Sequence, residues 1–163
     1  MQGHLKIRPI RKEDNKQVAR LIREVMHQYE CVGEGYSIED PEVDNMFEYY
    51  EHDNAMYYVV ADESGKVYGG GGIDQLSGGD GSICELKKMY FYPEIRGRGL
   101  GKKMVNTCLD KARSLGFDSC YLETVERMVE ANGLYKKLGF KPLEKNMGCT
   151  GHSSCDAFYV KEL

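Results

Sequence analysis

What this chain of 163 residues lacks narrows it first. It has no basic excess: 22 lysines and arginines face 26 aspartates and glutamates, for a net charge of −4, which argues against a nucleic-acid binder. No apolar run approaches the roughly 18 residues that a membrane span needs, and the N-terminus carries no signal-peptide core. The expectation is a cytoplasmic protein with neither nucleic-acid nor membrane partner. The six cysteines, at 31, 84, 108, 120, 149 and 155, include no CxxC pair. Cys84, Cys108 and Cys120 fall in apolar segments, where a free thiol behaves as a small buried hydrophobe, so reduced cysteines are expected. No internal repeat or linker divides the chain, which predicts a single domain over residues 1–163.

What is present alternates between strand and helix patterns. Leu5 to Pro9 alternates as a short strand, and Asp14 is placed to cap the helix after it. Val18, Leu21, Ile22, Val25, Met26 and Tyr29 then recur at helical spacing. Cys31 to Asp40 reads as a loop, and Val43, Met46, Phe47 and Tyr50 suggest a short helix after Pro41. Met56 to Ala61 and Val67 to Asp74 form a predicted hairpin around Asp62–Lys66. The run Gly69–Gly72 lacks the Gly-Lys-Ser/Thr of a phosphate loop, and glycines inside a strand mark a bulge or a close backbone approach instead. Ser82 to Tyr92 is long enough for a central strand. Leu100, Met104, Val105, Cys108, Leu109 and Ala112 trace the next helix face, closed by Gly116. Ser119 to Thr124 is a strand. Val129, Leu134, Tyr135 and Leu138 give a short helix ending at Gly139. Phe140 to Leu143 and Asp156 to Val160 complete a β-α-α-β-β-β-α-β-α-β-β order, a mixed α/β (α+β) domain.

The segment Tyr90–Gly101 joins a strand to a helix through a glycine-rich turn. Glycines let the backbone approach a ligand, and the unpaired amides of the first helical turn point at it with the positive end of the helix dipole. Lys87, Lys88, Arg96, Arg98, Lys102 and Lys103 crowd around this turn in an otherwise acidic chain. For Lys87, Lys88 and Lys103 a solvated basic face is an equally good reading. A dinucleotide fingerprint fails: Gly97 and Gly99 supply its first half, but Lys102 occupies the third glycine position. Glu123 lies near where a ribose-binding acid would sit, yet the chain has only one such unit, preceded by antiparallel-looking strands.

The run Arg96-Gly97-Arg98-Gly99-Leu100-Gly101 satisfies R/Q-x-x-G-x-G/A. It follows a strand ending in Tyr90-Phe91-Tyr92-Pro93, and Asn132-Gly133-Leu134-Tyr135 lies downstream. On these residues the sequence resembles the GCN5-related N-acetyltransferase (GNAT) superfamily, over nearly the whole chain. The resemblance implies a mostly antiparallel central sheet of about seven strands flanked by about four helices, and acetyl-CoA as co-substrate. It maps the CoA pyrophosphate onto the backbone of Arg96, Gly97, Arg98, Gly99, Leu100, Gly101 and Lys102. The pantetheine arm maps onto the main chain around Met89, Tyr90 and Phe91, and Asn132 onto an asparagine that contacts the same arm.

The implied chemistry is attack of a neutral amine on a thioester. An alkyl ammonium has a pKa of about 10, so it must first lose a proton. The departing thiolate, with a thiol pKa of about 8.5, must be protonated or stabilised. Glu85, on the same strand as the cofactor contacts, stands where one branch of the family has its general base; the competing reading is a surface charge or a partner for Lys87. Tyr135 matches the tyrosine that serves as general acid near the CoA sulfur, and its competing reading is one more core contact.

The acceptor side is expected in two loops that vary within the family. Glu34 and Tyr36 in the first are candidates to receive a cationic amine, and His152 in the second to touch substrate. Cys149, His152 and Cys155 offer three metal ligands where a structural zinc site wants four, so no metal is expected. The acceptor implied is the primary amine of a small molecule or peptide, with a chain this short favouring the small molecule. A non-catalytic acyl-CoA-binding sensor is the alternative reading. Homodimers are common in such folds, but no residue of the sequence identifies an interface.

Overall fold

The computed structural model describes residues 4–163. Seven strands form one sheet in the order β1-β2-β3-β4-β5-β7-β6. They are β1 (Lys6–Pro9), β2 (Met56–Ala61), β3 (Val67–Gln75), β4 (Ile83–Phe91), β5 (Ser119–Thr124), β6 (Lys141–Leu143) and β7 (Ala157–Glu162). Four α-helices flank them among the described residues: α1 (Asn15–Gln28), α2 (Met46–Tyr49), α3 (Leu100–Ser114) and α4 (Val129–Lys137). This is the mixed, mostly antiparallel sheet that the resemblance implies. Every neighbouring pair is antiparallel except β4 and β5. That parallel pair holds only from Ile83↔Ser119 to Glu85↔Tyr121. Beyond Glu85 the two strands part, and the split runs through the middle of the sheet.

The two sheet faces carry separate apolar clusters. α1 lays Val18, Leu21, Ile22, Val25 and Met26 against Tyr57 and Val59 on one face. α3 lays Met104, Val105, Cys108, Leu109 and Ala112 on the other, where Tyr135 and Tyr159 join them. The helical periodicity of the sequence produces both contacts. Two local readings are corrected. Asp14 stands at the N-cap position of α1 but makes no cap hydrogen bond there; its buried carboxylate takes a bidentate pair from Arg8, at 2.7 and 3.1 Å, and the Arg11 N–H at 2.7 Å. Val129 belongs to no apolar stripe: it is 69% exposed, and α4 buries Asn132 and Tyr135 instead.

Strand β4 is bent by a bulge. Its pairing with β3 slips between Gly70↔Tyr90 and Gly72↔Lys87, and Lys88 adopts φ +52°. Residues before the bulge alternate between faces as strand geometry requires. The extra residue puts Lys87 and Lys88 on the α1 side in succession, then restores Met89 and Phe91 to the α3 side. A left-handed φ is costly for lysine. The fold holds it from two sides: the Tyr57 hydroxyl donates to the Lys88 carbonyl at 2.7 Å, and the ammonium reaches Asp40 and Glu42 at 2.6 and 3.2 Å. The glycine run of β3 makes room for this, because a Cβ at Gly70 would stand 2.5 Å from the Tyr57 hydroxyl. Lys88 is thus a buried structural ion and Lys87 is mostly buried beside Glu42, where the sequence suggested a solvated or anion-binding basic face.

Candidate active site

The glycine-rich turn opens a groove on the α3 side of the split. Pro93–Ile95 makes one 3-10 turn, Gly97 and Gly99 take φ +76° and +77°, and α3 begins at Leu100. The first α-helical bond of α3 runs from the Lys103 N–H to the Gly99 carbonyl. The amides of Leu100, Gly101 and Lys102 therefore precede any intrahelical bond and are left for an anion. Beyond the adjoining residues, no atom lies within 4 Å of where a Cβ on Gly97 or Gly99 would be. A groove of about 420 Å³ extends from this turn between β4 and α4, past Met89, Phe91, Ala131 and Leu134 to Tyr135. It is mostly apolar, as the arm of a long thin ligand requires.

Arg96 is spent within this groove. Its guanidinium donates twice to the Phe91 carbonyl, at 2.9 and 2.6 Å, and once to Gln28 at 3.1 Å. The Tyr92 N–H bonds the Tyr68 carbonyl, so by strand alternation the polar groups of Phe91 face the split. Arg96 occupies that carbonyl and leaves the Phe91 N–H. The sequence places Asn132 on the same arm; in the structure its side-chain amide is bonded within the protein. Its amide donates to the Val125 and Met128 carbonyls at 2.9 and 2.7 Å and accepts the Tyr159 hydroxyl at 2.7 Å. These bonds tie α4 to β7 and use both amide protons.

On the α1 side the split becomes a small cavity of about 60 Å³, and Met89, Tyr90, Met128, Ala131 and Tyr135 line both spaces. Tyr135 is therefore at the junction. Its side chain is buried, burial pushes the hydroxyl's pKa upward, and no hydrogen bond to it occurs among the described residues. Tyr90 faces the α1 side and shares a hydrogen bond of 2.8 Å with Ser37.

Glu85 lines the small cavity, 4% exposed. Burial raises its pKa to about 7, with Lys87 opposing and Glu123 reinforcing the rise. Glu123, across on β5, behaves oppositely. It accepts from the Tyr121 hydroxyl at 2.7 Å and from Thr150, with His152 Nδ1 at 3.5 Å. Burial alone would raise it, but those donors hold it below the ordinary carboxylate value. His152 also meets Asp40 through Nε2 at 2.7 Å. Burial disfavours the imidazolium, yet the two carboxylates outweigh it and bring its pKa to about 9.

Glu85, Glu123 and His152 bring one ligand atom each within 4.8 Å of one another, the one such group among the described residues. A metal would need a ring nitrogen with a free lone pair. Both nitrogens of His152 face carboxylates, Nε2 to Asp40 at 2.7 Å and Nδ1 to Glu123 at 3.5 Å. Cys149 is exposed and the sequence motif around it forms no such cluster.

Of the acceptor candidates, Tyr36 and His152 line the cavity, whereas Glu34 is exposed and contributes only its carbonyl, to Ser154. Tyr36 accepts from Arg127 at 3.1 Å. Arg127 itself donates to the Tyr29 and Glu30 carbonyls at 2.6 and 3.1 Å, so it caps the C-terminal end of α1. Glu123 lines the cavity, and Asp40, Glu42 and Arg127 hold the Lys88, His152 and Tyr36 side chains that line it; sequence reasoning assigned none of them there. Only Glu123 carried a signal, its place at the end of a strand.

Comparison with known proteins follows this geometry. The sequence model of the acetyltransferase (GNAT) family matches residues 18–140. The uncharacterized N-acetyltransferase YjgM of Escherichia coli is 44% identical over 152 residues, 93% of this chain and 90% of its own length. An acetyltransferase of the GNAT family from Staphylococcus aureus superposes with a TM-score of 0.86 at 17% identity, over 98% of this chain and 99% of that one. PaiA N-acetyltransferase from Thermoplasma acidophilum, solved in complex with coenzyme A, gives 0.75 at 17% identity, over 98% and 99%. At these identities the two structures speak for the fold. No described helix is long and apolar enough to cross a membrane.

Proposed function

The chain belongs to the acetyltransferase (GNAT) family, an acetyl-CoA-dependent acyltransferase, and from that premise we propose that it acetylates the primary amine of a small-molecule or peptide acceptor with Glu85 as base and Tyr135 as acid. The observation that carries this reading is the junction at Tyr135. An anion-binding groove and a carboxyl-lined cavity meet there, through the split between β4 and β5. The residues present fit the donor: free helical amides and open glycines for its phosphates, and an unpaired Phe91 N–H beside an apolar channel for its arm.

Acetyl-CoA supplies a thioester: a C–N bond forms to the acceptor, the C–S bond breaks, and the thiol leaves. Glu85 takes the first proton from the acceptor ammonium, and its pKa of about 7 lets it do so near neutral pH. The hydroxyl of Tyr135 donates toward the departing sulfur. Net transfer from a phenol held above its ordinary pKa to a thiolate is uphill, so Tyr135 stabilises the developing charge by its hydrogen bond and passes its proton on only as that proton is replaced. The proton that the nitrogen sheds on becoming an amide balances the one the sulfur takes up. The small cavity favours an amine on a slender chain over one beside a bulky substituent.

The test is thiol release from acetyl-CoA across a panel of small amines and short peptides. Turnover with at least one primary amine is expected. Tight acetyl-CoA binding without turnover on any amine would favour the alternative, a non-catalytic sensor.

A further inference from the structure

The acceptor cavity presents two glutamates where the chemistry uses one proton acceptor, and the structure treats them differently. Glu123 is surrounded by donors: the hydroxyls of Tyr121 and Thr150 and the ring of His152. Glu85 receives no hydrogen bond from the described residues, although it is nearly as deeply buried as any side chain in the core. The difference traces to a chain of alternating charge. Lys88 Nζ lies 2.6 Å from Asp40, Asp40 lies 2.7 Å from His152 Nε2, and His152 Nδ1 lies 3.5 Å from Glu123. Its members come from β4, the α1–α2 connection, the β6–β7 connection and β5, so it joins four walls of the cavity. The two connections are also tied directly, by the Ser154 N–H to the Gly35 carbonyl at 3.1 Å.

We propose that Asp40 and His152 are positioning residues that hold Glu123 as a fixed anion outside the chemistry, and that this fixed charge leaves Glu85 as the one carboxylate that exchanges protons with the acceptor. This rests on the reading of Glu85 as the base. A carboxylate with two hydroxyl donors and an imidazole 3.5 Å away is stabilised in its charged form and makes a poor base. A dry carboxyl without donors is a better one, and its proton affinity is set by the charges that face it. For Glu85 these are Lys87 and Lys88 on its own strand, Glu123 on β5 and His152 from the β6–β7 connection. The neutral Tyr121 and Cys155 stand beside them, Asp74 is its register partner on β3, and Asp40 and Glu42 from the α1–α2 connection act through Lys88.

Glu123 and His152 carry opposite charges, so their removal has opposite signs. Glu123→Gln deletes a negative neighbour and makes Glu85 easier to ionise. His152→Gln keeps a hydrogen-bonding side chain but deletes a positive neighbour, making Glu85 harder to ionise. Coulomb energies at this range predict that each displaces the acid limb of kcat/KM by at least about half a pH unit, downward for Glu123→Gln and upward for His152→Gln. The acetyl-CoA dissociation constant stays within about twofold in both.

The experiment is the pH dependence of kcat/KM for the wild type, these two variants and Glu85→Gln, with whichever amine the panel identifies. Opposite displacements support the proposal, and either variant alone decides its sign should the other not fold. Displacement in one common direction, or none while Glu85→Gln abolishes the limb, overturns the positioning role and leaves the base standing. An acid limb that survives Glu85→Gln unchanged overturns the base as well.

Discussion

The hydroxyl of Tyr57 donates 2.7 Å to the carbonyl of Lys88, at the residue where β4 leaves the extended conformation. This bond, with the ion pairs of the Lys88 ammonium, holds the bulge that redirects β4 beside the split. Tyr57→Phe removes the donor and leaves a buried carbonyl unpaired. The expected loss is about 1–3 kcal/mol of folding stability, read by chemical denaturation. A variant as stable as the wild type would show that the bulge does not depend on this bond.

The turn that opens α3 makes a separable prediction. Gly99 holds φ +77° with open space at its Cβ position, so Gly99→Val meets no protein clash. It strains the backbone by roughly 1–2 kcal/mol and projects a branched side chain into the groove. Acetyl-CoA binding should weaken at least about tenfold by calorimetry, while the fold persists by circular dichroism. Unchanged affinity would remove the turn from the cofactor site.

Glu85 carries a stability cost with a definite sign. Its pKa is raised in the folded state, from 4.5 to about 7, so the native protein binds its proton more tightly than the unfolded chain does. That contribution is fully present below about pH 4.5 and is lost as pH rises through about 7. At 1.36 kcal/mol per pK unit the loss is about 3 kcal/mol. Glu85→Gln, which never ionises, should therefore lack this loss: its stability relative to wild type should rise by about that amount between pH 5 and pH 8. Denaturant titrations at both pH values check it, and a difference independent of pH contradicts the raised pKa.

The parts of this structure legible in the sequence are those written in consecutive residues. The stripe from Val18 to Met26 reports burial directly and the aromatic and β-branched content of Met56 to Ala61 reports a strand, because one helix or strand carries its own signal. The turn from Arg96 to Gly101 is equally local: two glycines at positive φ ahead of a helix imply free amides whatever surrounds them. The charge chain was not legible. Asp40 and His152 are 112 positions apart, and each sits in a segment without periodicity. Lys88 misleads for the same reason: nothing in Lys87-Lys88 distinguishes a solvated pair from a bulge that buries the second ammonium. Asn132 sits in a familiar motif, yet its partners on β7 and in the turn before α4 decide what its amide does.

Arg127 tests how the cavity is walled. Its guanidinium holds the Tyr29 and Glu30 carbonyls and the Tyr36 hydroxyl. Arg127→Gln should raise KM for the acceptor by about tenfold or less, since each bond lies at an exposed edge, with the acetyl-CoA KM unchanged. Initial-rate measurements varying each substrate separate the two. A rise confined to the acetyl-CoA KM would place Arg127 on the other side of the split.

The junction at Tyr135 is the centre of the account, and single-turnover kinetics of Tyr135→Phe probe it most directly. Tyr135 is buried, lines both cavities and has no hydroxyl partner among the described residues, so the substitution should leave folding and acetyl-CoA binding intact. The account predicts an acetyl-transfer rate lower by ~10²-fold at an unchanged acetyl-CoA dissociation constant. A wild-type transfer rate would contradict it and take Tyr135 out of the mechanism.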